Sequence, residues 1–93
     1  MKQASIYLAI MYDRRGVAHE EKKEWAASLI DYSAAAKANP TSPEYPLHQG
    51  NACVNLKKYD DAIAAYELAI KLKPDFKDAI DNLALAQKLK KGL

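Results

Sequence analysis

Apolar residues recur at every third or fourth position along most of this 93-residue chain, which is the spacing that places side chains on one face of an α-helix. Three stretches show the pattern most clearly. Their apolar positions are, in chain order, Trp25, Leu29, Tyr32 and Ala36; Ile63, Tyr66, Ala69 and Ile70; and Ala79, Ile80, Leu83 and Ala86. Proline follows the first stretch at position 40 and the second at position 74, and proline does not continue a helix. The pattern therefore predicts helices separated by short turns.

Composition supports an all-helical fold. The chain contains 17 alanine and ten leucine residues, whereas glycine and proline together number seven. Alanine, leucine, lysine and glutamate have high helix propensity, and strand-forming residues other than tyrosine are few. A chain of this length forms one core, so a two-domain enzyme with a crevice between its lobes is excluded.

Capping signals predict where the helices begin and end. Thr41-Ser42-Pro43-Glu44 combines a hydroxyl cap, an early proline and an acid in the first turn, which predicts a helix that runs to about Lys57. Asp60 is expected to cap a second helix that runs to about Lys73. Asp75 is expected to cap the last helix in the same way.

The chain also repeats itself at an offset of 34 residues. Identical residues at this offset include Gly16 and Gly50, Ala18 and Ala52, Lys23 and Lys57, Tyr32 and Tyr66, Ala35 and Ala69, Lys37 and Lys71, and Pro40 and Pro74. Trp25 meets Tyr59 at the same offset, and a third copy begins with Ala84 and Ala86. An internal period of this size is typical of stacked repeats, so each unit is predicted to be a pair of antiparallel helices.

Two glycines near the middle of predicted helices indicate a close helix crossing. Glycine inside a helix costs about 1 kcal/mol relative to alanine, so packing must compensate for it. We expect Gly16 and Gly50 to face the small residues Ser28 and Ala62, which would let the paired helices approach. The tyrosine that both units share is expected to fill the wider space between units.

These residues resemble the tetratricopeptide repeat, a helix-turn-helix repeat of roughly 34 residues. The resemblance is carried by Gly50-Asn51-Ala52, Tyr59-Asp60-Asp61-Ala62-Ile63, Tyr66, Ala69-Ile70 and Pro74 in the second unit, and by Arg15-Gly16-Val17-Ala18, Trp25, Ile30-Asp31-Tyr32, Ala35 and Asn39-Pro40 in the first. It implies an all-α fold in which antiparallel helix-turn-helix repeats stack as a short right-handed α-solenoid of about five helices. Residues 1–8 would extend the first helix, 9–42 and 43–76 would be two repeats, and 77–93 would be a capping helix.

Charge and cysteine content exclude several classes of function. The formal net charge is +2, with both signs spread along the chain, unlike the basic stripe of a nucleic-acid-binding domain. The apolar run from Ala4 to Tyr12 is shorter than the roughly 20 residues that span a bilayer. The single cysteine, Cys53, cannot form an internal disulfide. We therefore predict a cytoplasmic protein that binds neither nucleic acid nor membrane.

Candidate catalytic and metal-binding groups are sparse. His19, His48 and Cys53 lack the short spacing of a metal site. The serines lack the strand-to-helix elbow of a nucleophile, and the glycines are isolated rather than grouped in a phosphate-binding loop. The sequence predicts no catalytic residue, no metal site and no cofactor, and hence no enzyme.

The resemblance instead implies a binding groove. In the tetratricopeptide-repeat family the first helix of each repeat lines a concave face, which implies a ligand-binding set drawn from three helices. The set comprises Asp13, Val17, Glu20, Leu47, Asn51, Val54, Asn55, Asp81, Asn82 and Leu85, with Ile10, Glu21 and Asp78 beside it. The implied function is a non-catalytic adaptor or scaffold whose groove binds a peptide or protein partner.

The same resemblance limits the ligand. The best-known ligand of the family is the acidic C-terminal tail of the Hsp70 and Hsp90 chaperones. In that family this tail is bound by the side chains of lysines, an arginine and asparagines. Asn51 and Asn82 match asparagine positions, whereas Asp13 and Asp78 stand where that clamp has cations. A carboxylate would be repelled, so we expect a neutral, mixed or basic peptide rather than an acidic chaperone tail.

An alternative hypothesis concerns the apolar N-terminal helix. Seven consecutive apolar residues at 6–12 surround this helix, and a helix that is apolar all round needs a further burying surface. The alternative is a self-associating structural or engineered repeat unit, a homo-oligomer formed through this helix. An N-terminal cap folded back on the first repeat would explain the same pattern. The candidate interface consists of Ile6, Tyr7, Leu8, Ile10 and Met11.

Overall fold

The computed structural model describes residues 2–92, which form five α-helices and no β-strand. The helices are α1 (Lys2–Glu21), α2 (Trp25–Ala38), α3 (Glu44–Asn55), α4 (Tyr59–Leu72) and α5 (Lys77–Lys90). Each helix packs against the next one along the chain, and α3 also contacts α5. The body is elongated and measures 44 × 30 × 17 Å. The predicted all-α solenoid of about five helices is confirmed.

Two turns of the same geometry join the helices within each pair. Lys23 and Lys57, which lie 34 residues apart, both adopt the left-handed backbone conformation, with φ of 59° and 61°. The residue after each lysine donates its N–H to a carbonyl oxygen five residues earlier, at 2.9 Å in the first turn and 2.8 Å in the second. This bond closes a helix end that finishes in a left-handed residue. The sequence repeat therefore extends to the backbone conformation.

The predicted side-chain caps are wrong. Asp60 and Asp75 do not cap α4 and α5, because Lys58 and Phe76 occupy the cap positions. The hydroxyl cap predicted for α3 is also wrong, since a proline occupies that position. The left-handed residue before Lys58 reverses the chain so tightly that α4 starts before Asp60 is reached. Asp60 lies instead in the first turn of α4, where a carboxylate interacts favourably with the helix dipole.

The two mid-helix glycines face tyrosine rings rather than the small residues expected to oppose them. A Cβ added at Gly16 would lie 2.6 Å from Cε1 of Tyr32, and one added at Gly50 would lie 2.6 Å from Cδ1 of Tyr66. Side chains on a helix lean toward its N-terminus, so each ring lies back over the turn where a small residue was expected. Both tyrosines are 1% exposed. The rings therefore fill the space within each helix pair.

The hydrophobic core consists of two clusters. The larger joins α3, α4 and α5 and contains Leu47, Cys53, Ala62, Tyr66, Ala69, Ala79 and Ala86. The smaller joins α1, α2 and α3 and contains Ala9, Ala35 and Tyr45. Leu47 was predicted to line the groove, but it is 8% exposed and belongs to the larger cluster. Its helical position faces the interior, so it contributes to packing rather than to accessible surface.

An ion pair joins α1 to α2. Nε of Arg15 donates to Oδ2 of Asp31 at 3.0 Å, and a terminal guanidinium nitrogen donates to Oδ1 at 2.8 Å. The Asp31 side chain is 5% exposed, whereas that of Arg15 is 63% exposed. The hydrogen bonds from Arg15, together with its positive charge, hold the pKa of Asp31 below its ordinary value. The pair therefore satisfies a carboxylate that packing removes from water.

Replacing the arginine, as Arg15→Gln, is expected to destabilise the chain near neutral pH and to have little effect in acid. Because the folded-state pKa of Asp31 is lowered, its contribution is present above the ordinary pKa and is lost as pH falls through the folded-state pKa. Urea unfolding near neutral pH and at successively lower pH, through the range in which the carboxylate becomes protonated, measures the difference. Arg14→Gln, at the exposed neighbouring residue, is the matched control. A deficit for Arg15→Gln that persists unchanged in acid would contradict the ion-pair explanation.

Candidate functional site

A pocket opens where α3 and α5 come together. It has a volume of about 160 Å³, whereas small-molecule sites measure roughly 300–1,000 Å³. Five of its six lining residues belong to the predicted groove set. The sixth, Tyr66, lies on α4. The lining residues are Asn51, Val54, Asn55, Tyr66, Asn82 and Leu85. The size of the pocket suits one side chain or a short stretch of polypeptide.

Asn51 organises the polar part of this pocket. Its Oδ1 accepts hydrogen bonds from the Tyr66 hydroxyl at 2.6 Å and from Nδ2 of Asn82 at 3.0 Å. Burial raises the pKa of Tyr66 to about 12, so the hydroxyl remains a donor at physiological pH. Both bonds use Oδ1 of Asn51, so the other amide atom of this side chain, the donor Nδ2, is not used in them. The acceptor Oδ1 of Asn82 is likewise not used in them.

The remaining lining residues surround this network. Nδ2 of Asn55 donates to the main-chain oxygen of Asn51 at 2.9 Å, which directs the Asn55 side chain along α3. Leu85 is 51% exposed, and Val54 is half-buried against the larger core cluster. The pocket thus combines side-chain amides with two aliphatic contacts.

In the first repeat the equivalent tyrosine bonds to a different position. The Tyr32 hydroxyl donates to Oε1 of Glu20 at 2.6 Å. At the 34-residue offset Glu20 corresponds to Val54, and Asn51 corresponds to Val17. Each repeat therefore carries one polar acceptor and one valine, in opposite order along the helix. Glu20, which was predicted to line the groove, holds the tyrosine of its own repeat.

Asp13 is held by the second repeat. Its Oδ1 lies 2.8 Å from Nδ1 of His48, and the His48 ring packs on Tyr32 with the ring centroids 5.0 Å apart. The side chains of Asp13 and His48 are 23% and 29% exposed. Asp13 was predicted to line the groove, whereas His48 was considered only as a metal ligand. Helical spacing could have found it, because His48 precedes Asn51 by three residues and so shares its face.

The other predicted groove residues lie outside the pocket. Val17 is 38% exposed on α1. The Asp81 side chain is 61% exposed, and its Oδ2 accepts a hydrogen bond from Nζ of Lys77 at 3.1 Å. The structure therefore gathers the predicted residues of α3 and α5 in one pocket, with the exception of Leu47 and Asp81. The predicted residues of α1, which are Asp13, Val17 and Glu20, do not line this pocket.

The predicted oligomer interface lies on the surface of α1. Its five side chains are between 37% and 66% exposed, and they are Ile6, Tyr7, Leu8, Ile10 and Met11. A single chain does not test whether they meet a second copy, so the homo-oligomer remains a prediction.

Membrane spans, metal clusters and reactive thiols are three further features that could indicate a function. No helix between residues 2 and 92 is long and apolar enough to cross a membrane. In the same part of the chain, no group of three His, Cys, Asp or Glu side chains is placed to hold a metal ion. Cys53 is 4% exposed, and burial raises the pKa of its thiol, which disfavours the reactive thiolate. Cys53 is therefore a core residue.

Comparison with known proteins identifies the repeat. The tetratricopeptide repeat family matches residues 47–76, and no curated protein sequence matches the chain. Among solved structures, the first TPR of Spaghetti (RPAP3), bound to HSP90 peptide SRMEEVD, has a TM-score of 0.86 at 21% identity. That match covers 88% of this chain, which spans only 65% of the Spaghetti chain.

Two further solved structures are similar. The second TPR of Spaghetti (RPAP3), also bound to HSP90 peptide SRMEEVD, has a TM-score of 0.92 at 20% identity, covering 99% of this chain and 84% of that one. The Arabidopsis OM64 TPR domain has a TM-score of 0.88 at 18% identity, covering 90% and 69%. Identities this low show a shared fold alone.

The peptide in the two Spaghetti structures is acidic. The comparisons therefore give no support to the expectation that acidic tails are excluded as ligands. They do agree on the fold, and the matched segment 47–76 coincides with α4 and most of α3. Residues 47–76 thus match one tetratricopeptide repeat, and the chain shares the fold of solved tetratricopeptide-repeat domains.

Proposed function

We propose that the chain is a non-catalytic protein-interaction module that binds an extended peptide segment in the pocket between α3 and α5. The observation that carries the proposal is the orientation of two side-chain amides beside an aliphatic contact surface. Asn51 and Asn82 supply the amides, and Val54 and Leu85 supply the surface.

The amides match the hydrogen-bonding groups of a peptide backbone. Nδ2 of Asn51 is a donor and Oδ1 of Asn82 is an acceptor, and neither takes part in the Tyr66 network. An extended peptide presents a carbonyl oxygen and an N–H that pair with such groups. The Tyr66 hydroxyl and Asn82 orient Asn51 before a ligand arrives, which reduces the entropy lost on binding. Backbone recognition of this kind is independent of the ligand's sequence.

The aliphatic side of the pocket adds selectivity for a side chain. Leu85 and Val54 face the same small volume as the amides. Burial of an apolar ligand side chain there contributes roughly 25 cal/mol for each Å² removed from water. The proposed ligand therefore places one apolar side chain beside the peptide bond that the asparagines hold.

Exposed acidic side chains on α5 outside the pocket favour a neutral or basic ligand over an acidic one. Asp81 is exposed on α5 close to Asn82 in sequence, and Asp78 lies one turn earlier. Asp13 occupies the corresponding helix of the first repeat. Exposed charges interact weakly, so the acidic side chains change the binding affinity only a little. Most of the affinity comes from the amides and the aliphatic side chains of the pocket.

Leu85→Ala is expected to weaken binding of a neutral or basic peptide about fivefold or more, because a central aliphatic contact is worth about 1 kcal/mol or more. The probes are an array of short synthetic peptides that differ in net charge, followed by calorimetric titration of the best binder. Ile80→Ala is the matched control, since Ile80 is a similarly exposed aliphatic residue of α5 outside the pocket. It should leave the affinity unchanged.

The acidic peptide SRMEEVD, which similar structures hold, provides the test of charge preference. We expect it to bind more weakly than a neutral peptide of the same length. Stronger binding of SRMEEVD would reject the charge preference while leaving the pocket in place. If Leu85→Ala and Ile80→Ala reduced binding equally, the pocket itself would be rejected as the site.

A further inference from the structure

His48 lies where three helices meet, one helical turn from the proposed peptide pocket. It is on α3, three residues before Asn51, and so shares the helix face of that asparagine. Its Nδ1 lies 2.8 Å from Oδ1 of Asp13 on α1, and its ring packs on Tyr32 of α2 with the ring centroids 5.0 Å apart. The side chain is 29% exposed, so the first repeat holds a ring that still reaches solvent.

The bond to Asp13 fixes the atom at which this ring takes up a proton. A carboxylate oxygen only accepts, so the neutral ring carries its hydrogen on Nδ1. Nε2 is then the nitrogen that binds a proton. The pair of Asp13 and His48 carries one negative charge when the ring is neutral and no net charge when the ring is protonated. Because an imidazole titrates between about pH 5 and pH 8, the charge of this surface changes near neutral pH.

The other titratable groups on this side of the neighbouring helices are acids and tyrosines. Burial, followed by the bond to Glu20 and then by the charges of Glu20 and Asp13, raises the pKa of Tyr32 above its ordinary value, so the ring beside His48 remains uncharged. In chain order, the groups are Asp13 and Glu20 on α1, Tyr32 on α2, Glu44 one turn before His48 on α3, Tyr66 on α4 and Asp78 one turn before Asn82 on α5.

Protonated His48 supplies a positive charge that this surface otherwise lacks. Among the described side chains, the ion pairs of lysine and arginine involve other acids, which are Asp31, Asp60 and Asp81. The charge on His48 also lies close enough to affect a ligand. Three residues of helix rise about 4.5 Å, whereas the Debye length at physiological ionic strength is about 8 Å. A ligand charge beside Asn51, which lines the pocket, therefore interacts with the ring.

We propose that His48 is a specificity-determining residue for ligand charge in the α3–α5 pocket, and that proton uptake by its ring weakens basic ligands and strengthens acidic ones. The inference rests on the proposed function and adds the regulation of its site. When the ring is neutral, the charge of Asp13 favours a lysine or arginine beside the apolar side chain of the ligand. When the ring is protonated, that charge is compensated and an acidic ligand residue is repelled less.

Two versions of the best neutral peptide from the array supply the probes. One has glutamate and the other has lysine on both sides of the apolar residue. From about pH 7.5 to about pH 5.5, we expect the affinity of the glutamate peptide to rise about threefold and that of the lysine peptide to fall by a similar factor, because a unit charge acts with this strength over several ångströms in a largely aqueous medium. Both changes should shrink as salt is raised. Calorimetric titration measures them.

Substitutions assign the effect to His48. His48→Gln retains a donor for Asp13 but does not titrate, so the affinities of both peptides should become independent of pH in this range. His19→Gln is the matched control, because His19 is the other of the two histidines and bonds to Glu24 beside the turn between α1 and α2. It should retain the pH dependence. Asp13→Asn should raise the affinity for the glutamate peptide about threefold at about pH 7.5. Circular dichroism verifies that each variant is folded.

Nuclear magnetic resonance supplies a readout that a purely structural role would not change. Coupling between two binding events is reciprocal, so the peptides must affect proton binding as the proton affects them. Saturation with the glutamate peptide should raise the titration midpoint of the His48 ring signals by about half a pH unit, which corresponds to a threefold change in affinity. The lysine peptide should lower it.

Persistence of the pH dependence in His48→Gln would overturn the inference, and so would a His48 midpoint that neither peptide moves. If binding of both peptides depends on Leu85 but responds to pH equally, the inference is overturned while the proposed function stands. Failure of every array peptide to bind would reject the proposed function and this inference with it.

Discussion

Gly50→Ala is expected to lower the free energy of unfolding by about 2 kcal/mol, although alanine is the better helix former. The added methyl would lie 2.6 Å from Cδ1 of Tyr66, well inside the contact distance of two carbon atoms. Tyr66 is 1% exposed and its hydroxyl is bonded to Asn51, so the ring cannot move without breaking that bond. Urea unfolding followed by circular dichroism measures the change.

A double-mutant cycle tests the cause. In a Tyr66→Leu background, Gly50→Ala should cost much less, because a smaller and more adaptable side chain replaces the ring. Gly16→Ala should behave like Gly50→Ala, since Tyr32 occupies the same position in the first repeat. A neutral or stabilising Gly50→Ala would mean that helix propensity outweighs the ring contact, and would contradict the packing explanation.

Asn51→Val is expected to destabilise the chain by about 1–3 kcal/mol, because it removes the acceptor of a buried hydroxyl. The Tyr66 hydroxyl donates to Asn51 at 2.6 Å and would be left without that partner. Thermal and urea unfolding measure the loss. Asn55→Val is the matched control. Asn55 is exposed and bonds only along its own helix in the described contacts, so its replacement should change stability little.

The first repeat supplies the compensating change. Adding Val54→Glu to Asn51→Val reproduces the order of Val17 and Glu20, in which the tyrosine hydroxyl donates to a glutamate at 2.6 Å. We expect the double variant to recover most of the lost stability. Peptide binding should remain lost, because the amide donor of Asn51 is still absent. Recovery of binding together with stability would show that the pocket amides are not the recognition groups.

The helices and their repeat could be predicted from the sequence. Apolar spacing and the 34-residue identities depend only on local periodicity, and the structure has five helices with matching left-handed turns at Lys23 and Lys57. The helix starts were less predictable. Asp60 and Asp75 have the chemistry of caps, but the geometry of each turn places Lys58 and Phe76 there instead.

The candidate site was predictable in part. Asn51, Val54 and Asn55 have the spacing of one face of α3, and Asn82 and Leu85 that of one face of α5. The family resemblance implied that these faces line one groove, and the structure gathers the five residues around one pocket. The sixth lining residue, Tyr66, was assigned only to packing, because nothing in local spacing shows that a core tyrosine on α4 reaches a polar group on α3.

The sequence by itself determined that this protein is a stack of paired helices with a period of 34 residues, because both properties follow from residue spacing along the chain. Only the tertiary structure decided which polar groups serve packing. Glu20 and Asn51 accept bonds from tyrosines 12 and 15 residues away, and such bonds depend on how two helices cross. The contact of α3 with further helices also decided that Ala52 is buried while its counterpart Ala18 on α1 is exposed, because burial requires a neighbouring helix as well as a suitable residue.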